Sequence, residues 1–217
     1  MERVEQLRLL KGLINHLDLK TNINAGGIIK TPADTYISEE RFDREWNTFF
    51  LNHPQIIGLS GDLPTPNSFV TTEDFGVPIL AVRDDTGEFK AYANVCPHRG
   101  VTIESSKKGE KSKFSCPFHG WTFNNEGNLI GYPKKEQFGE IDKDCYGLKE
   151  LPAIEKFGFL WVHPKRDGNI DLDELLGKEL QAEFNAWNFQ SLVFANEDLY
   201  FTDMNWKLAI DTFGETY

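Results

Sequence analysis

Two short segments constrain this chain more than anything else in it: Cys96-Pro-His98-Arg-Gly100 and, with 17 residues between His98 and the next cysteine, Cys116-Pro-Phe-His119-Gly-Trp121. Each offers one thiolate and one imidazole, at i and i+2 in the first and at i and i+3 in the second. Neither segment completes a metal site alone, so a fold that uses them must bring two loop tips together. Pro97 and Pro117 bias the cysteine before each of them toward extended backbone and stiffen the loop that presents it. Gly100 and Gly120 allow the chain to turn tightly behind the ligands, where a Cβ would obstruct close approach.

A Cys2His2 set can hold tetrahedral zinc, but zinc fingers commonly gather two cysteines in one knuckle and two histidines on a helix. One of each per loop is instead the ligand complement of a Rieske 2Fe-2S cluster, with Cys96 and Cys116 on one iron and His98 and His119 on the other. Exchanging two thiolates for neutral nitrogens removes negative charge and raises the reduction potential above that of a plant-type ferredoxin. One-electron transfer is the chemistry to expect.

The rest of the composition narrows the setting. A length of 217 residues accommodates one full domain and a substantial part of another. A net charge of -11 argues against nucleic acid, whose phosphates need a basic face. No apolar run approaches the roughly 20 residues of a membrane span, and charged residues interrupt the leucines of the first turns, so no secretory core is expected. Of three cysteines, two are assigned to metal and only Cys145 remains, which fits a reducing cytoplasm.

Periodicity predicts an α+β chain in three parts. Residues 1-54 form a helical amino-terminal segment. Within it, Val4, Leu7, Leu10, Ile14 and Leu17 mark an amphipathic helix that should pack one face. A second helix follows Ser38, an N-cap with Glu39 and Glu40 in the first turn, and should bury Phe42, Trp46, Phe49 and Phe50 along one side. Residues 55-166 read as antiparallel β, with runs such as Pro78 to Arg83 and Phe157 to Val162 and turns at Asp84-Asp-Thr-Gly87 and Asn124-Asn-Glu-Gly127. Residues 167-217 should supply a connector helix over Leu172 to Trp187, a strand over Leu192 to Thr202 and a helix from Asn205.

Beyond the loops, Tyr36-Ile-Ser-Glu-Glu-Arg-Phe42, Gly61-Asp-Leu-Pro64, Pro78-Ile-Leu-Ala-Val-Arg-Asp84 and Phe114-Ser-Cys-Pro-Phe-His-Gly-Trp-Thr-Phe123 follow one pattern. Through these segments the chain resembles the large, catalytic subunit of the Rieske non-haem iron oxygenases, the ring-hydroxylating family. Asn205-Trp-Lys-Leu-Ala-Ile-Asp-Thr-Phe-Gly-Glu-Thr-Tyr217 is similar to the segment opening that family's α/β helix-grip catalytic domain. There the tyrosine precedes the first histidine of a mononuclear iron, so the resemblance implies an amino-terminal part with that domain truncated at its start and the Fe(II) ligands still to come. It also implies a ferredoxin or flavin reductase as electron donor. In the full-length protein it implies O2 and an organic, chiefly aromatic, substrate, and a homotrimer or hetero-hexamer. Glu215 matches the acidic residue that links the two metal sites across a subunit boundary, against a plain reading as a solvated helix glutamate. Asp211, one turn earlier, is either a hydrogen-bonding neighbour of that site or structural.

Other residues receive plainer readings. Trp121 is expected to pack and shield the cluster. Lys107, Lys108, Lys111 and Lys113 could steer an acidic donor, although a solvated loop is the simpler account. His163 and Cys145 are given structural roles. The alternative function is a stand-alone Rieske electron carrier, which has no need of the segment after Asp167. High-potential respiratory Rieske proteins add a cysteine to each loop, where this chain has Val101 and Phe118. A zinc-stabilised binding module would be colourless.

Overall fold

A computed structural model describes residues 2–22, 27–139 and 141–214. It divides into two compact units, Asp43–Phe201 and a second made of Met1–Phe42 with Thr202–Tyr217. The fold is α+β, and all strand pairing is antiparallel.

In the larger unit the strands are β1 (Gln55–Leu59), β2 (Ser68–Thr72), β3 (Ile79–Arg83), β4 (Phe89–Ala93), β5 (Lys108–Glu110), β6 (Lys113–Ser115), β7 (Thr122–Asn124), β8 (Leu129–Gly131), β9 (Glu150–Leu151), β10 (Ala153–Lys156) and β11 (Phe159–Val162). They form a five-stranded sheet β5-β2-β3-β4-β9 and two three-stranded sheets, β1-β11-β10 and β6-β7-β8. Successive side chains on a strand point to opposite faces, and β3 uses both for apolar burial. Leu80 and Val82 join a core with Phe114, Phe123, Leu129 and both loop cysteines, whereas Ile79 and Ala81 join Leu151, Leu160 and Val162 in a second core. The five-stranded sheet is thus a shared wall between two cores. Pro152, which cannot donate to a ladder, lies where the chain leaves β9 in one sheet and enters β10 in another.

The turn after β3 has a local cause. The Asp84 carboxylate is buried and accepts from the backbone N–H of Thr86 and Glu88, both at 2.9 Å, and from the Thr86 hydroxyl at 2.7 Å. Its ion pair with Lys90 spans 2.9 Å. Burial alone would raise the Asp84 carboxyl, but Lys90 and these donors outweigh it and hold it well below the usual carboxylate range.

Helix α1 (Arg3–Leu19), α2 (Asp34–Ile37) and α3 (Glu39–Glu45) precede the strands, and Ser38 caps α3 through its hydroxyl, which accepts from the Arg41 N–H at 3.3 Å. After β8 come the single turn α4 (Lys135–Phe138), then α5 (Leu172–Trp187) and α6 (Trp206–Gly214). Asp171 caps α5 by accepting from the N–H of Asp173 and Glu174. Gly177, at φ 63° and ψ 174°, kinks that helix. Asn205 accepts from Lys207 N–H at 3.1 Å and starts α6.

Three expectations need correction. Helix α1 forms, but it buries none of its residues; Val4 and Leu17 are each 77% exposed. Leucines at positions 7, 9, 10, 13, 17 and 19 leave it no sharply segregated apolar stripe. The aromatic run after Ser38 is interrupted by a π-helical turn over Trp46–Leu51. A wider turn changes which positions align, so Phe49 is left 52% exposed while Phe42, Trp46 and Phe50 are half-buried. Finally, Leu192 to Thr202 is not a strand: it is irregular and exposed throughout. Strand propensity without a neighbouring backbone to pair with does not make a strand.

Candidate metal centre

The two ligand loops close in the same way. Cys96 N–H donates to the Val101 carbonyl and Gly100 N–H returns to the Cys96 carbonyl, both at 2.8 Å. In the second loop Cys116 N–H donates to Trp121 O at 2.8 Å and Gly120 N–H to Cys116 O at 3.0 Å. Gly100 and Gly120 stand at φ 74° and φ 70°, the left-handed region that glycine enters without a steric penalty. At Gly120 a Cβ would also meet Pro133 at 3.1 Å; at Gly100 it would meet nothing. The bridge Val95–Thr102 closes the base of the first loop and the β6–β7 pair Ser115–Thr122 that of the second.

The loops are braced from behind by different means. Behind the first, the buried Asn94 side chain donates to the Glu104 carbonyl at 2.7 Å and accepts from the Glu104 N–H at 3.0 Å. The buried Glu104 carboxylate accepts from Ser106 N–H at 2.8 Å and pairs with Lys111. Burial raises the Glu104 carboxyl, but Lys111 and Ser106 reverse this and leave it below its ordinary value. The second loop relies on packing: Phe114, Trp121 and Phe123 are all essentially inaccessible.

Within this frame both cysteines are buried and outside any disulfide. Burial pushes the Cys96 thiol up, the backbone N–H groups of His98 and Arg99 pull it back, and the adjacent Cys116 sulfur pushes it up again. The His98 and His119 rings meet edge to face, with centroids 4.9 Å apart. Burial, then the neighbouring His119 and Arg99, holds His98 below its ordinary value, a shift toward the neutral form that ligates metal. His98 also stacks on Trp121 at 4.8 Å with the rings 3° from parallel.

The donor set fits a two-iron cluster. Buried polar atoms are nearly always paired, yet His119 Nδ1 is buried with no partner among the described residues, as a nitrogen reserved for a metal would be. A thiol that resists ionisation by burial, as Cys96 does, is stabilised as thiolate by a bound cation. Among the described residues no three His, Cys, Asp or Glu side chains converge as around one ion. The candidates form a thiol pair, Cys96 beside Cys116, and an imidazole pair, His98 beside His119.

The Rieske [2Fe-2S] domain family matches residues 53–153. The chain is 27% identical to the carnitine monooxygenase oxygenase subunit of Acinetobacter baumannii over 86% of its own length and 50% of that protein's. It is also 27% identical to toluate 1,2-dioxygenase subunit alpha of Pseudomonas putida, over 88% of this chain and 44% of the relative. Residues 53–153 thus form a Rieske [2Fe-2S] domain, and these relatives are Rieske oxygenase large subunits. That domain is the kind that holds a 2Fe-2S cluster, and the chain spans about half the length of these relatives. The apo structure of the quaternary ammonium Rieske monooxygenase CntA matches with a TM-score of 0.77 and 25% identity, over 86% of this chain and 55% of that one. Naphthalene 1,2-dioxygenase with indole bound matches with a TM-score of 0.60 and 31% identity, over 65% and 32%.

The remaining candidates are placed less centrally. Glu215 lies outside the described residues. Asp211, on α6, accepts from the Tyr36 hydroxyl at 2.8 Å, and Asn205 Nδ2 donates to the Tyr36 carbonyl at 3.1 Å, so Tyr36 ties α2 to both ends of the α6 segment. All four lysines of the cluster are exposed, and three of them have a partner. Lys107 faces Glu197 at 3.8 Å, Lys108 Nζ lies 3.0 Å from the Phe194 ring centroid, and Lys111 pairs with Glu104. Cys145 is exposed and donates to Asp142 at 3.2 Å. His163 is buried and accepts from Lys165 N–H at 3.1 Å, a structural turn. Sequence reasoning missed Asn94 and Glu104, whose roles depend on a contact across the loop that no local spacing announces.

Proposed function

We propose that Cys96 and Cys116 hold one iron and His98 and His119 the other of a Rieske 2Fe-2S cluster, and that the chain is the electron-receiving part of an oxygenase. The observation that carries this reading is the pair of matched loops, each presenting a buried cysteine and a histidine at the end of the same core. When bound, the cluster supplies one-electron storage at a potential above that of an all-thiolate ferredoxin. The chain's own residues do the rest. The backbone turns fix both sulfurs, burial shifts His98 toward its neutral form, and the aromatic wall of Trp121, Tyr132, Phe138 and Tyr146 shields one side of the site from water.

For the whole protein, we infer reducing equivalents from a ferredoxin or flavin reductase and O2-dependent hydroxylation of an organic substrate at a mononuclear iron. The names of the relatives cover both aromatic compounds and quaternary ammonium compounds, and matches of both kinds extend along more than four fifths of this chain. Glu215 is the proposed acidic link between the two metal sites. Asp211 is assigned to holding α6 against α2 through Tyr36. No helix among the described residues is long and apolar enough to cross a membrane.

Anaerobically purified protein should contain two irons and two labile sulfides per chain, with the visible and EPR spectra of a Rieske centre. Stoichiometric zinc without sulfide would overturn the assignment.

A further inference from the structure

The two histidines have unequal surroundings. Each loop closes on itself through backbone hydrogen bonds, but Trp121, at the end of the second loop, covers the histidine of the first. Its indole is 1% exposed and lies 3° from parallel to the His98 ring. The Trp121 ring is held by Tyr132, Phe138 and Tyr146 at 5.5 to 5.8 Å, and its backbone is anchored by the Cys116 N–H, which donates to the Trp121 carbonyl. Phe138 also meets the His98 ring edge-on at 5.7 Å. Among the described residues His119 has no such wall: besides His98, its ring neighbour is Phe118, at 3.9 Å and 34°, which is 55% exposed. The indole Nε1 is buried without a partner among the described residues, so the side chain meets His98 with its face and not with a hydrogen bond.

We propose that Trp121 is a positioning residue for His98, setting the plane of that imidazole and keeping water off one of its faces, while His119 has no equivalent support. This rests on the ligand assignment proposed above. A parallel aromatic face restrains a ring against tilting, since stacked and edge-on arrangements are separate minima. An indole face also carries negative quadrupole density, which favours the more positive, oxidised state of a centre behind the imidazole. Replacing it by a small aliphatic group admits water, which stabilises the added negative charge of the reduced state. Both effects raise the potential.

The test is pulsed EPR of the reduced, anaerobically purified protein, with histidine nitrogen couplings resolved by 15N labelling, together with a redox titration. Wild-type protein should show two histidine nitrogens; finding none would overturn the ligand assignment itself. In Trp121→Leu one coupling should change and the other stay. The reduction equilibrium should shift three- to tenfold toward the reduced form, the upper end corresponding to about 59 mV for one electron. Two unchanged couplings with an unchanged potential would overturn the positioning role while leaving the ligands intact. If Trp121→Leu does not assemble the cluster, Trp121→Phe, which keeps a flat ring, should assemble it and show a smaller change in the same coupling; two wild-type couplings there would likewise overturn the proposal. Phe118→Leu should leave both couplings and the potential within error of wild type, and a shift as large as that of Trp121→Leu would remove the asymmetry.

Discussion

The two ligand loops end in nearly the same tip and are held there by unlike means. Cys96 and Cys116 use one backbone pattern, an N–H given to the residue five positions on and a carbonyl taken by the glycine four positions on. Behind the first tip is a polar brace, Asn94 clamped to Glu104 and Glu104 paired with Lys111. Behind the second is close packing, with Pro133 against Gly120 and the rings of Phe114, Trp121 and Phe123 beneath. The lesson is that tip geometry is set by the short turn and its glycine, whereas the response to acid, to bulk and to truncation is set by what stands behind it.

The largest test removes what the tips share. Cys96→Ser and Cys116→Ser should each abolish the visible cluster, because a bound metal adds its free energy to the folded state only. With each kcal/mol worth about 2–4 °C in a chain of this size, calorimetry should find the melting temperature lower by about 10 °C or more in both. A variant melting like wild type would make the centre peripheral to stability.

The second test separates the loops by bulk. Gly100→Ala and Gly120→Ala both force an L side chain into left-handed backbone, at about 1–2 kcal/mol. Only at Gly120 does the new Cβ also press on Pro133, 3.1 Å away. Gly120→Ala should therefore melt lower than Gly100→Ala, and equal melting temperatures would mean that Pro133 moves aside at no cost.

Acid should reach the first loop before the second. Glu104 and Asp84 both have folded-state values below their unfolded ones. Their stabilisation is therefore complete above the unfolded carboxyl value near 4 and is lost as pH falls through the folded values. Glu104→Gln should flatten the decline in stability below about pH 4.5, and amide exchange in that range should rise first around Asn94 and Glu104. A wild-type acid profile in the variant would mean that the Lys111 pair contributes nothing.

The smallest effect belongs to Phe118→Ala. A side chain 55% exposed at a loop tip should change stability by no more than about 0.5 kcal/mol. Denaturant titration would detect a larger loss, which would show that the His119 contact is structural.

What could be read from the sequence followed range of interaction. The turn at Asp84, the Ser38 cap and the helix over Leu172–Trp187 all depend on neighbours a few residues apart, and each appears where spacing places it. The strand expected at Leu192 to Thr202 failed because pairing depends on a distant backbone, not on the segment's own β propensity. The exposed Phe49 follows from a single π turn, which shifts phase without leaving a mark on apolar spacing. Asn94 reads locally as an ordinary polar residue before a cysteine, and only the fold puts Glu104 opposite it.

Strand β3 has a mechanical consequence. Because alternate residues of one five-residue segment belong to opposite cores, a slip by a single position would drive Ile79 and Ala81 into the space of Leu80 and Val82 and disorder both cores at once. Loosening of the far side of the domain is therefore transmitted to the ligand tips through a shared strand rather than through a chain of contacts. Local opening that spares the tips has no route through this strand, and the domain should come apart in one cooperative transition.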